Sequence, residues 1–533
     1  MKLAILSLLA LATGAVLAAE AQCPLPDDLT VKTSTGIYTG LIDPVYPKTR
    51  QFRSIPFVEP PVLSRRWLPP QKLSPSSKHH YATRFPPSCA QFVTSVISIY
   101  DTPLTKGNLI YNGNQNDTSG LVSVASSEDC LYLAMWTPTT PPPPGGFPVL
   151  FFMTGGGNIL GGVDIPWQLP HSWVERSQSH IVVTINYRLS IFGFPRARGL
   201  AGEDQNLGIL DQRAALEWVR DNIAAFGGDS HRITMYGQSA GAVDSDIHSY
   251  AYYQDPIVQG YFIQSGVVFS IAIPQDPPYS NFSYVARQFG CEVPCADDPA
   301  AAELDCMRQV PFAQLVNFIG QYGDRGETPT LSFNLVQDNR TYFTNYTARS
   351  LEGKMARVPA IISNTANEFS TLIPWPVSNL TEGPYQPTVT ALDIIRGVCA
   401  TLNATTYRNR LGIPVFRMQY AGTFPNMNYY KWLGAYHASD LPITFGTYHL
   451  LDGVANTTEF EVEVSQGLQD YLLAFIKDPY HGLPEIGWNP MNVTDLYGGK
   501  MIRLGADGKV TQHLHGIEID GSCDGSREYN PFP

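Results

Sequence analysis

Short apolar runs alternate with longer mixed stretches along most of this 533-residue chain. The runs at 131–135, 148–153, 181–186, 232–236, 257–263, 358–363 and 415–420 have the length and composition of strands. The run at 181–186 is almost wholly apolar, as expected of a strand covered on both faces. From 210 to 226 the apolar residues fall at helical spacing, and Gly227-Gly228 supplies the stop. Strands alternating with helices predict a mostly parallel sheet with helices on both faces. Ligands of such open sheets sit beyond the carboxyl ends of the strands. The stretch from about 270 to 355 lacks the alternation and reads as an inserted helical or loop region flanking that end. The proline-rich segment 56–87 reads as an irregular surface layer, and 137–146, with four successive prolines, as an exposed loop.

Composition narrows the class. Hydrophobic residues make up 44% and charged ones only 15%, enough to bury a large core. The net charge of −12 argues against nucleic acid and anionic membrane surfaces as partners. Met1-Lys2, an apolar stretch over 3–19 and the small and polar residues that follow describe a secretory signal peptide over 1–21. No stop-transfer pattern follows, and no later segment is long and apolar enough to span a membrane. The remainder, 22–533, is expected to be a single catalytic domain. Eight cysteines permit four disulfides in an oxidising compartment. Eight Asn-x-Ser/Thr sequons, at Asn116, Asn281, Asn339, Asn345, Asn379, Asn403, Asn456 and Asn492, fit a secreted glycoprotein, and any that carry sugar must lie at the surface.

The chemistry centres on Ser239. It stands in Gly237-Gln-Ser-Ala-Gly241, directly after an apolar strand and before a helix of small residues. A serine on such a sharp strand-to-helix turn presents its hydroxyl free of the sheet. It needs a histidine to take its proton and an acid to orient that histidine, in the chain order serine, acid, histidine. His437, in the loop after the strand at 415–420, is the candidate base, with His449, His481, His513 and His515 as alternatives. Glu368, five residues after the strand at 358–363, is the candidate acid, and Glu382, which follows no strand, its rival. Thr154-Gly155-Gly156-Gly157 follows another strand, where successive glycines let backbone N–H groups converge on a developing oxyanion. Ala240, next to the serine, adds an N–H.

These blocks resemble the type-B carboxylesterases, the cholinesterase-like α/β-hydrolases that include fungal lipases. The resemblance covers nearly all of 22–533. It rests on Gly36-Ile-Tyr-Thr-Gly40 and Phe52-Arg-Ser-Ile-Pro-Phe-Val-Glu-Pro-Pro61, on Ser127-Glu-Asp-Cys-Leu-Tyr-Leu133, and above all on 206–223 leading through Phe226-Gly-Gly-Asp229 to the Ser239 turn. It implies an α/β-hydrolase fold and a carboxylic ester hydrolase without metal or cofactor. It also implies a triad of Ser239, Glu368 and His437, with Gly156, Gly157 and Ala240 as oxyanion donors. It further implies disulfides between Cys89 and Cys130 and between Cys291 and Cys306. The pairing of Cys23, Cys295, Cys399 and Cys523 stays open. The chain departs from the family at Thr154, where His or Tyr is usual, at Asn158, where an aromatic is usual, and at Gln238, where Glu is common. The interval from Glu368 to His437 is short for the family. In cholinesterases the key tryptophan for the cation lies in the loop closed by the first disulfide. The similar stretch here, Cys89 to Cys130, holds no tryptophan, and its tyrosines are Tyr100 and Tyr111, so the resemblance implies an uncharged small-molecule ester rather than a choline ester. Two other readings use the same sequence: an acyltransferase or lactone-processing enzyme on the same triad, and a non-catalytic adhesion protein on the same fold.

Overall fold

Alternation along the central strands decides which helix covers which face of the sheet. In β4 (Phe147–Met153) Leu150 and Phe152 face one core while Val149, Phe151 and Met153 face the other. Every residue of β4 and of β5 (Ile181–Ile185) is buried. Helix α1 (Leu207–Asn222) lays Ala215, Leu216 and Val219 on the second of these faces. The long helix α7 (Glu459–Lys477) lays Leu468, Leu472 and Phe475 on the first. Each such side chain removed from water contributes about 1.5–3 kcal/mol before ordering costs are met.

The structure is a computed structural model that describes residues 29–92, 94, 126–270, 273–376, 378–379, 381–453, 455–495 and 499–533. The segment 1–21, Cys23, Tyr100, Tyr111 and Asn116 lie outside the described residues.

The α/β-hydrolase sheet has eleven strands in the order β1-β2-β3-β5-β4-β6-β7-β8-β9-β10-β11. The remaining strands are β1 (Leu41–Ile42), β2 (Thr49–Pro56), β3 (Tyr132–Pro138), β6 (Gly228–Gln238), β7 (Gly260–Gln264), β8 (Ala360–Thr365), β9 (Val415–Tyr420), β10 (Lys500–Ala506) and β11 (Lys509–His515). From β5 across to β10 the pairing is parallel. Antiparallel pairs close both ends, β1 to β3 on one side and the β10–β11 hairpin on the other. One edge is thus a two-residue strand, and the other carries Lys509, His513 and His515 exposed.

The sequence-based strands over 131–135, 148–153, 181–186, 232–236, 358–363 and 415–420 each overlap an observed strand. The run at 257–263 enters the sheet only from Gly260, because 256–259 is the loop leading in. Helix α1 ends at Asn222, and 223–226 tightens into a 3-10 turn before Gly227, which takes a left-handed φ of 88°. The inserted region is helical, with α3 (Ser280–Gln288), α4 (Pro299–Gln309) and α5 (Phe312–Asp324). Asp298 caps α4 by accepting from the N–H groups of Ala300 and Ala301, and Pro299 occupies the first turn where its missing N–H costs nothing. Disulfides join Cys89 to Cys130, Cys291 to Cys306, and Cys399 to Cys523. The last ties the start of α6 (Cys399–Arg410) to the chain beyond β11. Cys295 is exposed and unbonded to any described cysteine.

Candidate active site

Three strand ends bring Ser239, Glu368 and His437 together. Ser239 follows β6 and caps α2 (Ala240–Ala251) with φ 58° and ψ −121°, a conformation L-residues rarely adopt. The turn holds because its glycines allow contacts no side chain could make. A Cβ on Gly237 would lie 1.9 Å from the Gly241 carbonyl oxygen, and one on Gly241 2.3 Å from that of Met153. The helix therefore starts against the end of β4, and the serine side chain is only half-buried.

Glu368 opens a single 3-10 turn after β8, and His437 sits in the loop after β9. His437 Nε2 lies 2.8 Å from Ser239 Oγ, and its Nδ1 is hydrogen-bonded to Glu368 Oε1. Both partners are nearly closed to solvent. The other oxygen of Glu368 accepts from Thr365 N at 2.7 Å, Thr365 Oγ1 at 3.0 Å and Ser265 Oγ at 3.1 Å. These donors fix the direction of the carboxylate. Two further buried carboxyls stand nearby. Burial first, then the charge of Glu368, pushes Asp440 up to about 7. Burial pushes Asp393 up to about 8 in spite of the bond it accepts from Phe369 N. The structure brings none of the alternatives to this site. His449, His481, His513 and His515 are exposed, and Glu382 is exposed with Asn379 as its partner at 3.4 Å.

The glycine loop after β4 passes directly over the elbow. A Cβ on Gly155 would meet Gln238 and Ser239 within 2.9 Å. Gly156 takes a φ of 113°, open to glycine alone. Among the described residues the N–H groups of Gly156, Gly157 and Ala240 donate to no other group of the chain. The three departures noted in the sequence are all built in. Thr154 is buried, and its carbonyl accepts from the Tyr187 hydroxyl at 2.9 Å. Gln238 brings Nε2 to 3.4 Å from His437 Nε2, a neutral amide where a carboxylate is common. Asn158, at φ 59°, turns inward rather than presenting a ring to the cleft.

Beside this loop opens an apolar cavity of about 510 Å³. Ile159, Leu160, Ile191 and Phe192 form one wall, and Val316 and Ile319 of α5 another. Among the described residues no group of three or more His, Cys, Asp or Glu is placed to hold a metal ion. Six sequon asparagines, Asn339, Asn345, Asn379, Asn403, Asn456 and Asn492, are exposed. Asn281 does not fit the expectation of a surface acceptor. It is 8% exposed on α3, and its amide donates to Ser332 O at 3.2 Å, so its nitrogen is engaged inside the fold.

Sequence reasoning missed Ser265, Thr365, Asp393 and Asp440. Ser265 and Asp393 meet the Glu368 turn only through the tertiary fold, whereas Thr365 and Asp440 stand three residues from Glu368 and His437 in sequence.

Comparison with known proteins agrees with this architecture. The profile of the carboxylesterase family matches residues 27–396. "Secreted lipase 5" of Gibberella zeae is 35% identical over 93% of this chain and 94% of its own length. "Chlorogenic acid esterase" of Aspergillus niger is 36% identical over 93% of this chain and 94% of its own. "Acetylcholinesterase" of Electrophorus electricus is 32% identical over 54% of this chain and 43% of its own.

Proposed function

The chain belongs to the carboxylesterase family and is a carboxylic ester hydrolase; from that premise we propose that it is a secreted serine enzyme that cleaves uncharged esters through an acyl-enzyme. The observation that carries this reading is the continuous contact from Ser239 Oγ through His437 to Glu368. Ser239 attacks the ester carbonyl while His437 Nε2 takes its proton. The carbonyl oxygen becomes an oxyanion, received by the N–H groups of Gly156, Gly157 and Ala240. As the bond to the alcohol breaks, His437 gives that proton to the leaving alcohol. Water then attacks the acyl-serine while His437 takes its proton, and His437 returns the proton to Ser239 Oγ as the acid departs. Glu368 holds the imidazole in the tautomer with its proton on Nδ1 and stabilises the imidazolium as it forms.

The apolar cavity beside the glycine loop supports an ester with a bulky apolar portion. Three disulfides and exposed sequons support an extracellular glycoprotein whose catalytic domain spans 22–533. Among the described residues no helix is long and apolar enough to cross a membrane.

Ser239→Ala is expected to leave a folded protein with hydrolysis reduced by roughly three or more orders of magnitude. An organophosphonate should label wild-type protein at Ser239; labelling elsewhere would reject the assignment. Butyrylcholine and its neutral isostere, 3,3-dimethylbutyl butyrate, should react with similar kcat/KM. A preference for the cation on the order of tenfold, about 1.4 kcal/mol, would reject the uncharged-ester reading.

A further inference from the structure

Asn158 and Asp244 face each other across the base of the oxyanion loop. Asn158 ends the run of glycines and is 2% exposed. Its Nδ2 donates to Asp244 Oδ1 at 3.3 Å, its Oδ1 accepts from the Tyr187 hydroxyl at 3.2 Å, and its carbonyl accepts from Ser190 N at 2.8 Å. The same Tyr187 hydroxyl reaches the carbonyl of Thr154 at 2.9 Å, so one side chain grips both ends of the glycine run. Asp244 lies on α2, the helix that begins at Ala240. Its second oxygen accepts from Gln212 Nε2 of α1 at 2.7 Å. Gln212 is oriented in turn by His248, whose Nε2 lies 3.2 Å from Gln212 Oε1. Burial pushes His248 down to about 3, so it is a neutral donor there.

A fully buried carboxyl held by amides rather than by a cation is costly. An apolar residue would fill the same space more cheaply. What the carboxyl adds is a rigid link. The donors of Gly156 and Gly157 belong to the loop, and the donor of Ala240 belongs to α2. Pairing of β4 with β6 sets where the two halves begin, at Met153 and Gly237, and the Asn158–Asp244 contact is a direct side-chain link between the far end of the loop and α2.

We propose that Asp244 and Asn158 are positioning residues that lock the glycine loop to the nucleophile helix, setting the spacing of the oxyanion donors. This role takes the place of the aromatic usual after the glycines. It rests on Ser239 being the nucleophile and on Gly156, Gly157 and Ala240 being the donors. Its mark is a transition-state effect. The loop's donors meet the oxyanion only as the tetrahedral intermediate forms, so misplacing them lowers kcat and leaves KM nearly unchanged.

The test uses the full-length enzyme, with active sites counted by exhaustive organophosphonate labelling. Asp244→Asn places an amide opposite another amide, and Asn158→Ala removes the contact. Each is expected to lower kcat by about ten- to a hundredfold, less than deletion of a donor outright, with KM changed less than about threefold. Affinity for an alkyl trifluoromethyl ketone, which forms an oxyanion on the serine, should fall in parallel. The exchanged pair N158D/D244N rebuilds the contact, because the new amide donates to Asp at 158 and accepts from Gln212. It should recover kcat to within about threefold of wild type. Single variants with wild-type kcat, unchanged ketone affinity, or an exchanged pair no better than the singles would each overturn the proposal. If Asp244→Asn fails to fold, Asn158→Ala and the exchanged pair decide it. Failure to label Ser239 in the wild type would instead remove the underlying hydrolytic reading.

Discussion

Glu368 illustrates how one residue's role depends on the donors around it. Its three-donor oxygen and its contact to His437 leave it no freedom to rotate. Glu368→Gln is therefore expected to lower the acylation rate by several orders of magnitude, because the amide favours the unproductive tautomer of His437. Glu382→Gln should act at the wild-type rate. Single-turnover kinetics on the two variants distinguishes these outcomes, and an essential Glu382 would reject the acid assigned here. At this scale the sequence spoke clearly wherever a local motif existed. Ser239, the glycines at 155–157, Glu368 and His437 were each legible from a strand followed by a loop. The link from Asn158 to Asp244 was not, because it joins positions 86 apart through geometry that only the packed fold creates. Asn158 was visible only as an anomaly.

The elements missed in the sequence share a cause. Strand β2 reads Thr-Arg-Gln-Phe-Arg-Ser-Ile-Pro, with two arginines and a register shift between Phe52 and Ile55 that breaks the period-two pattern. The hairpin of β10 and β11 did carry a signal, Asp507-Gly508, and both residues adopt the positive φ that such a turn demands. β11 lies at the sheet edge, where mixed polarity hides it, and β10, paired on both sides, is broken in pattern by Arg503 and Gly505. The pairing of Cys399 with Cys523 was equally unreadable, since it spans 124 residues. That length has an energetic consequence. Closing so long a loop restricts the unfolded chain, and losing the bond typically costs about 2–5 kcal/mol. The double variant C399S/C523S should therefore show a lower urea midpoint with its kcat retained. Non-reducing peptide mapping of the wild type checks all three pairings.

For the molecule as a whole, buried ionisable groups shape the dependence of stability on pH. Asp393 and Asp440 are pushed up to about 8 and 7, so the fold favours their neutral forms. That contribution is complete below the ordinary carboxyl range and is lost as pH rises through the folded values. His180 and His248 are both pushed down to about 3 by burial, and their contribution is lost in the opposite direction, as pH falls below 6.5. Between pH 7 and 8 these two histidines are largely neutral in both states, and the raised carboxyls act, Asp244 and Glu461 (each pushed up to about 7) together with Asp393 and Asp440. The melting temperature should fall by roughly a few degrees over that interval, and Asp393→Asn should flatten the fall. Calorimetry at fixed ionic strength measures both, and a melting temperature that rises toward pH 8 would contradict the assignment.

The two ends of the sheet bear on how the enzyme behaves in crowded solution. An open sheet offers unpaired N–H and C=O groups along its outer strands, a template on which another chain can add. Here one border is two residues long, too short to seed such growth. The other alternates Lys509, His513 and His515 with half-covered positions, so an incoming strand would have to strip water from polar side chains along its length. Self-association by strand addition is thereby discouraged at both borders.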